Sequence, residues 1–239
     1  MEGFQMDFLD IRWDVIWNYR ELYIRGIGIT IALTICGYLI GMTFGVVLGL
    51  AQTSKNKLLY WPAKIYVDVF RGTPMLVQIL IIHVALIPTI FGESQGWFLS
   101  GILALGLNSA AYNAEIFRAG IQSIDKGQME AARSLGLTHS QAMRKVIMPQ
   151  AIRRMVPPLG NEFITLLKDS SLISTISAAE ILYVSKVIVG TTFIVWEPYL
   201  FAAFLYLVMT LGISKLISYL EKRYSVNNPR KKKKEGATV

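Results

Sequence analysis

Two short stretches place charged and hydrogen-bonding side chains where the chain around them is apolar. The first, DVFRGTPMLVQ, groups Asp68, Arg71, Gly72, Thr73 and Pro74; the second, GNEFITLLKDSSL, carries Asn161, Glu162, Thr165, Lys168 and Asp169. A charge in hydrocarbon costs about 2.5–3.5 kcal/mol on insertion scales, so it needs a partner, a water-filled cavity or a function. The second set follows an i, i+1, i+4, i+7, i+8 pattern, which predicts one helical face. A polar stripe on an otherwise apolar helix points to a pore or a partner helix. Offering both signs and two neutral hydrogen-bonders, it suits a zwitterionic or polar small molecule. A structural pairing of Glu162 with Lys168 is the competing reading. In the first set Pro74 removes a helical donor and Gly72 weakens the same turn. A broken helix at membrane depth is tolerated where it lines a cavity, and such breaks build transporter sites. A kink whose Asp68 and Arg71 neutralise each other at i,i+3 explains the same residues. The candidate substrate-binding residues are therefore Arg71, Thr73, Pro74, Asn161, Glu162, Thr165, Lys168 and Asp169.

Other chemistry is poorly provided for. His83 lies in an apolar stretch and His139 in a polar one, and these are the two histidines of the chain. No H-E-x-x-H, G-x-S-x-G or carboxylate–histidine cluster accompanies them, which argues against a membrane enzyme or a metal site. His83 reads as a buried imidazole rather than a ligand or relay. The single cysteine, Cys36, sits inside an apolar block and reads as a small buried hydrophobe. Glu115 and Arg118, at i,i+3, read as a structural pair. No G-x-x-x-x-G-K-[ST] occurs, so the chain has no phosphate loop for ATP.

The elements that must carry these residues are long apolar blocks. Of 239 residues, 53% are apolar and 17% charged, where soluble chains run near a quarter charged. A spanning helix needs about 20 apolar residues. Ile27 to Leu50, Tyr60 to Phe91, Trp97 to Phe117, the shorter Met155 to Leu167, and Tyr199 to Leu220 supply candidates. Leu172 to Val195 is divided by Glu180 and Lys186, and fits a re-entrant or outer-surface helix better than a sixth span.

Lysine and arginine alternate between connections. Lys55 and Lys57 follow the first block, and seven basic residues (Arg118, Lys126, Arg133, Arg144, Lys145, Arg153, Arg154) separate the third from the fourth. Lys222, Arg223 and the run Arg230 to Lys234 follow the fifth, while the other connections are neutral or acidic. Under the positive-inside rule this predicts an all-α integral membrane protein with five transmembrane helices, N-terminus outside and C-terminus cytoplasmic. Residues 1–23, carrying Glu2, Asp7, Asp10, Asp14 and Glu21, are expected to form an external segment; their charge is wrong for a secretory leader. Residues 24–220 form the membrane domain and 221–239 a basic cytoplasmic tail. The net charge of +8 owes five residues to the terminal run, which favours anionic headgroups over nucleic acid.

Gly37, Gly41, Gly45 and Gly49 draw a smooth stripe down the first block, where a neighbouring helix can approach closely. Packing within one subunit is the favoured reading over a subunit interface. Between the third and fourth blocks, GQMEAARSLGLTHSQAMRKVIMPQA looks soluble. Gly127 is read as ending the entering segment, and Gln128 to Leu135 favours a helix that Gly136 breaks. Thr138 has cap character, and a second short helix is expected to run until Pro149. Glu130 complements the first helix dipole, and Ala131 and Ala132 admit a close surface. The pair has the chemistry of a docking knob, with a solvated loop as the bland alternative.

Glu130-Ala131-Ala132, three residues, Gly136, nine residues, then Val146-Ile147-Met148-Pro149 resembles the EAA motif of binding-protein-dependent ABC importer permeases. Valine and methionine replace the usual isoleucine and leucine. RGTPMLVQ, LLKDSSL and NSAAYNAEIFRAGIQSI (108–124) resemble the polar amino-acid branch, and the likeness runs from roughly Tyr19 to Tyr224. The resemblance implies a type I ABC importer permease fold in a bacterial plasma membrane. It also implies a second permease copy or paralogue, two ABC ATP-binding subunits per complex holding ATP and Mg, and an extracytoplasmic amino-acid-binding protein. No cofactor is implied on this chain. The loop at 125–150 would be the coupling element, with Glu130, Ala131, Ala132, Ser134, Leu135, Gly136 and Leu137 meeting the ATPase. A stand-alone channel or ion-coupled transporter using Asp68, Arg71, Glu162 and Asp169 is the alternative, and it has no use for a docking knob.

Overall fold

A computed structural model describes residues 12–224, with side chains to residue 219, and every regular element in it is helical. The acidic residues Glu2, Asp7 and Asp10 and the run Arg230 to Lys234 lie outside the described residues. The helices are α1 (Trp13–Asn18), α2 (Arg20–Thr53), α3 (Lys57–Gly72), α4 (Met75–Leu80), α5 (Ile87–Phe91) and α6 (Gly96–Gln122). They continue as α7 (Lys126–Ser134), α8 (His139–Ala142), α9 (Met148–Asp169), α10 (Ile181–Thr192) and α11 (Trp196–Tyr224).

Helix α2 and residues Trp196–Tyr219 of α11 are long and apolar enough to cross a membrane. Two bent pairs raise the candidates to four: Lys57–Gly72 with Met75–Phe91, bent by 108°, and His139–Ile176 with Ile181–Thr192, bent by 44°. The Tyr60 to Phe91 block is thus two arms meeting at Thr73 and Pro74. The apolar stretch after residue 172 is a 3-10 segment (Ser170–Ile176) and the 12-residue α10, about 18 Å long at 1.5 Å per residue and too short to span alone.

The scaffold is the pair α2 and α6, which run parallel. A β-carbon on Gly37, Gly41, Gly45 or Gly49 would lie 2.5–2.7 Å from the β-carbon of Leu105, Ser109, Asn113 or Phe117 respectively. Both series advance by four, so one register is held over more than three turns. The glycine stripe is packing within one subunit, and α6 fills it with a matching row. Leu33, Leu105, Ile79 and Ile173 are buried together in one core cluster beside this pair.

Helix α9 differs from the expected pattern. It does not stop at Pro149: α8 passes through a π-helical turn (Met143–Ile147) directly into α9, with Pro149 in its first turn. The same device appears at Ile81–Leu86, a π-helical turn followed by Pro88 at the start of α5. Proline cannot donate to the i−4 carbonyl and its ring crowds that group; widening the preceding turn makes room, and the helix continues. Gly127 does not end the segment before it either. The Asp125 side chain accepts its N–H at 2.7 Å, so Asp125 caps α7 and Gly127 lies in the first turn.

Candidate functional site

The break between α3 and α4 lies beside the middle of α6. Thr73 and Pro74 are extended (ψ 148° and 134°), which strands carbonyls at the end of α3. Two side chains satisfy them. The Thr73 hydroxyl donates to the Val69 carbonyl at 2.8 Å, and Gln78 Nε2 donates to the Phe70 carbonyl at 2.8 Å, with the Thr73 oxygens at 2.8 and 3.1 Å. Asn108 Nδ2 of α6 donates to Gln78 Oε1 at 2.8 Å, and Tyr66 to the Leu107 carbonyl at 2.8 Å. His83 Nδ1 bonds the Ser100 hydroxyl at 2.9 Å, nearer the start of α6, which gives the imidazole a structural partner.

Asp68 and Arg71 do not pair with each other. Asp68 takes Lys64 at 2.8 Å, while Arg71 reaches across to Glu115 at 3.9 Å, its guanidinium 5.5 Å from the centre of the Tyr112 ring. The i−4 partner suits Asp68 because the two side chains are one turn apart on α3, whereas Arg71 reaches α6, where the charge of Lys64 also acts on Glu115. Arg118 grips Glu115 through both Nε, at 2.9 Å, and Nη2. The pair read as structural therefore forms, but its carboxylate is shared with Arg71. Asn108, Tyr112 and Glu115 follow i, i+4, i+7 and present one stripe to the break.

On α9 the predicted polar face is split. Glu162 is buried (9% exposed), Asp169 is half-buried, and Asn161, Thr165 and Lys168 are exposed. Adjacent helical positions diverge by about 100°, so Asn161 and Glu162 can share a broad stripe yet turn to different surroundings. Glu162 turns toward α6, where the Ser109 hydroxyl is its hydrogen-bonding neighbour and the charges of Asp169 and Arg71 both act on it. No Glu162–Lys168 ion pair occurs among the described residues. The charge of Arg71 acts on Glu162, so the two separate sequence clusters are linked across the middle of α6. Thr73 and Pro74 form the break itself and are exposed.

The loop between α6 and α9 is a compact knob. Gly136 closes α7 with φ +84°, its N–H donating to the Arg133 carbonyl and that of Leu137 to the Ala132 carbonyl, at 3.0 and 3.2 Å. This is the Schellman arrangement, and it needs the left-handed conformation that glycine adopts freely. Thr138 then caps α8 in a capping box with Gln141. Ala132 is buried and Leu137 half-buried, whereas Glu130, Ala131, Ser134, Leu135 and Gly136 are exposed; Leu135 is 85% exposed. The knob is bolted to both long helices. Met129, Ile124 and Ile147 pack with Phe117 of α6 and with Ala151 and Met155 of α9. Gln150 donates to Gln128 at 3.3 Å, and the Arg154 guanidinium to the Ser123 carbonyl.

One residue with a large structural role was not singled out by sequence reasoning. Glu180 is fully buried and caps α10, accepting from the Leu182 and Tyr183 N–H groups at 2.9 and 2.7 Å and from the Tyr206 hydroxyl at 2.5 Å. Glutamate is not among the preferred N-cap residues, so the sequence offered only a charge interrupting an apolar run. Among the described residues no group of three or more His, Cys, Asp or Glu could hold a metal ion.

Residues 41–226 match the family model of the binding-protein-dependent transport system inner membrane component. A probable glutamine ABC transporter permease protein of Bacillus subtilis (GlnM) is 36% identical over 209 residues, covering 87% of this chain and 96% of that protein. The arginine transport system permease protein ArtQ of the same organism is 35% identical, covering 86% and 93%. A solved chain from a crystal structure of an amino acid ABC transporter with histidines superposes with a TM-score of 0.84 at 44% identity, covering 89% of this chain and 99% of that one. The chain belongs to the family of binding-protein-dependent transport system inner membrane components.

Proposed function

We propose that this chain is the membrane-spanning permease subunit of an ATP-driven importer of polar amino acids in a bacterial inner membrane. It moves its substrate by alternating access past Arg71 and Glu162. The observation that carries this reading is that the broken α3–α4 segment and the buried Glu162 sit against neighbouring positions of α6, Gln78 at Asn108 and Glu162 at Ser109, with the EAA knob fastened to the ends of α6 and α9 that we assign to the cytoplasm. An amino acid bears both charges, and Arg71 and Glu162 offer one of each. The relatives named for glutamine and arginine transport, and the solved amino-acid transporter at 44% identity, support the substrate class.

In this reading the chain crosses the membrane five times, with α3–α5 as the second span, α6 the third, α9 the fourth and α11 the fifth. Its N-terminus is external and its C-terminus cytoplasmic, as the alternation of lysine and arginine supports. The chain has no phosphate loop, so ATP and Mg belong to two partner ATPase subunits. Each would seat the surface around Glu130, Ala131, Ser134, Leu135, Gly136 and Leu137. A second permease copy or paralogue faces the exposed Asn161, Thr165 and Lys168, and an external binding protein delivers the amino acid. When the ATPase pair closes, the knob moves. Its contacts through Ile147, Ala151 and Met155 carry α9, and Glu162 with it.

The test uses cells expressing the whole importer. Glu162→Ala should lower uptake of radiolabelled L-glutamine or L-arginine about tenfold, equal to about 1.4 kcal/mol, while the ATPase still co-purifies. Glu130→Lys should abolish both uptake and co-purification. Wild-type uptake by Glu162→Ala would refute the path assignment; full ATPase recovery with Glu130→Lys would refute the docking assignment.

A further inference from the structure

The break that carries Arg71 is not free to choose its angle. After Gly72 the chain turns by 108° between two helical arms, and Pro74 can supply no N–H to bridge them. Thr73 meets the Val69 carbonyl, and the remaining carbonyls are met by one side chain from the far arm. Gln78 projects back from α4 and gives its amide N–H groups to Phe70 and Thr73. The Thr73 hydroxyl spends its proton on Val69, so it can only accept from Gln78. That fixes the amide orientation: Nε2 faces the break and Oε1 faces α6, where Asn108 Nδ2 donates to it. Gln78 and Asn108 are both buried. The chain of bonds Asn108 to Gln78 to Thr73 to Val69 ties the end of α3 to one position on α6.

That position matters because Asn108 lies on the same stripe as Tyr112 and Glu115, the residues that receive Arg71. One and two helical turns separate the anchor from the ring and the carboxylate. A shift of α3 along α6 would break the Gln78–Asn108 bond and lift the guanidinium off Tyr112 together. We propose that Gln78, anchored by Asn108, is a positioning residue for Arg71: it sets the angle and register of the break so that the guanidinium stands over Tyr112 beside Glu115. This rests on the reading of Arg71 as part of the transport path. Gln78 is too enclosed to meet substrate, and it acts through the arginine it places.

The test is a double-mutant cycle in the assembled importer, read as uptake of radiolabelled L-arginine and L-glutamine. Gln78→Glu keeps size and still accepts from Asn108, but it presents acceptors to acceptors at the break. It should reduce uptake about tenfold, in line with the cost of setting a carboxylate against the half-buried Phe70 carbonyl and the Thr73 oxygens. Arg71→Lys keeps the charge but loses the planar fork, so it lowers uptake while leaving it measurable. In the Arg71→Lys background, Gln78→Glu should cost less than about twofold further, because there is no correctly placed guanidinium left to misplace. Asn108→Ala, which spares the break carbonyls, should show the same dependence on background, and ATPase co-purification confirms that each variant assembles. Losses that multiply in the double variant would reduce Gln78 to a general fold contact and overturn the proposal. So would wild-type uptake by Gln78→Glu alongside impaired Arg71→Lys, an outcome that leaves the transport role of Arg71 standing. If instead Arg71→Lys transports normally, the path assignment of Arg71 fails, and the positioning role with it.

Discussion

A β-carbon placed on Gly45 would lie 2.5 Å from the β-carbon of Asn113, closer than any side-chain carbon can stand. Asn113 is fully buried, its amide nitrogen donates to the Ser109 hydroxyl at 3.1 Å, and the backbone of Ala110 and Ala114 stands 3.1 and 3.2 Å from the same point, so the row has no room to step aside. The α2–α6 contact is therefore set by the absence of a methyl group. Gly45→Ala should lower the stability of the extracted subunit by about 1–3 kcal/mol, as overpacking does in other cores. Gly28→Ala is the control, since a β-carbon there meets nothing within 4 Å. Thermal unfolding in detergent reads the difference, and equal midpoints for the two variants would show that α2 and α6 can part at no cost.

How this scaffold was legible, and where legibility stopped, follows from the range of each signal. The glycine row announced a close helix contact because its period is local to one helix. Its partner row, Leu105 to Phe117, contains no repeated residue type and could be found only from the packing. The shape of the knob was readable because caps and turns are local chemistry: Gly136 and Thr138 stand where the backbone needs them. Pro149 misled for the same reason. Local rules end a helix there, and the π-helical turn that lets it pass draws on the packing of Met143 and Ile147 against α6 and α9. For the candidate site, both clusters were visible from composition. Their placement on one stretch of α6 was not, because Arg71 and Glu162 are 91 positions apart in the sequence and are related through α6. Asp68 looked like the partner of Arg71 because it was the nearest opposite charge in sequence.

The turn at Gly136 separates two reasons for needing glycine. Its φ of +84° is strained for any residue with a β-carbon, yet the site has nothing within 4 Å inside the chain. Asparagine tolerates this conformation far better than valine does. Gly136→Asn should therefore keep the turn, and Gly136→Val should lose it at a cost of about 1–2 kcal/mol. If the turn is what the ATPase reads, co-purification survives in the first and falls in the second. Loss in both variants would instead mean that the partner's surface touches residue 136 itself.

Glu180 predicts a fragile point near α11. Its carboxylate accepts from two backbone N–H groups and the Tyr206 hydroxyl, so Glu180→Gln replaces an acceptor by a donor facing other donors. The result should be poor assembly, with a stability loss of about 2–3 kcal/mol, typical of leaving buried donors without an acceptor. Tyr206→Phe removes one donor and leaves the cap, so it should cost about 1–2 kcal/mol and keep the subunit assembled. Size-exclusion chromatography and thermal midpoints of the two variants check the order. A Glu180→Gln subunit as stable as Tyr206→Phe would show that the cap is dispensable.

The two arms of the α3 charge cluster should separate in transport. Lys64 and Asp68 form an exposed i,i+4 pair, with side chains 38% and 59% exposed, and pairs of that kind are worth about 0.3–0.5 kcal/mol. Lys64→Ala and Asp68→Asn should therefore leave uptake within about twofold of wild type. Arg71 instead leaves its own helix for Glu115, a carboxylate that Arg118 also grips and that is only 26% exposed. Arg71→Ala removes the one cation that both Glu115 and Glu162 feel from α3, and should lower uptake at least about tenfold while the complex stays assembled. Glu115→Gln keeps the shape and weakens the hold on both arginines, so its loss should fall between. Uptake of radiolabelled amino acid in cells ranks the four variants directly. If Asp68→Asn proved as damaging as Arg71→Ala, the charge that matters would lie on the Lys64–Asp68 pair, and the path would not run between the break and α9.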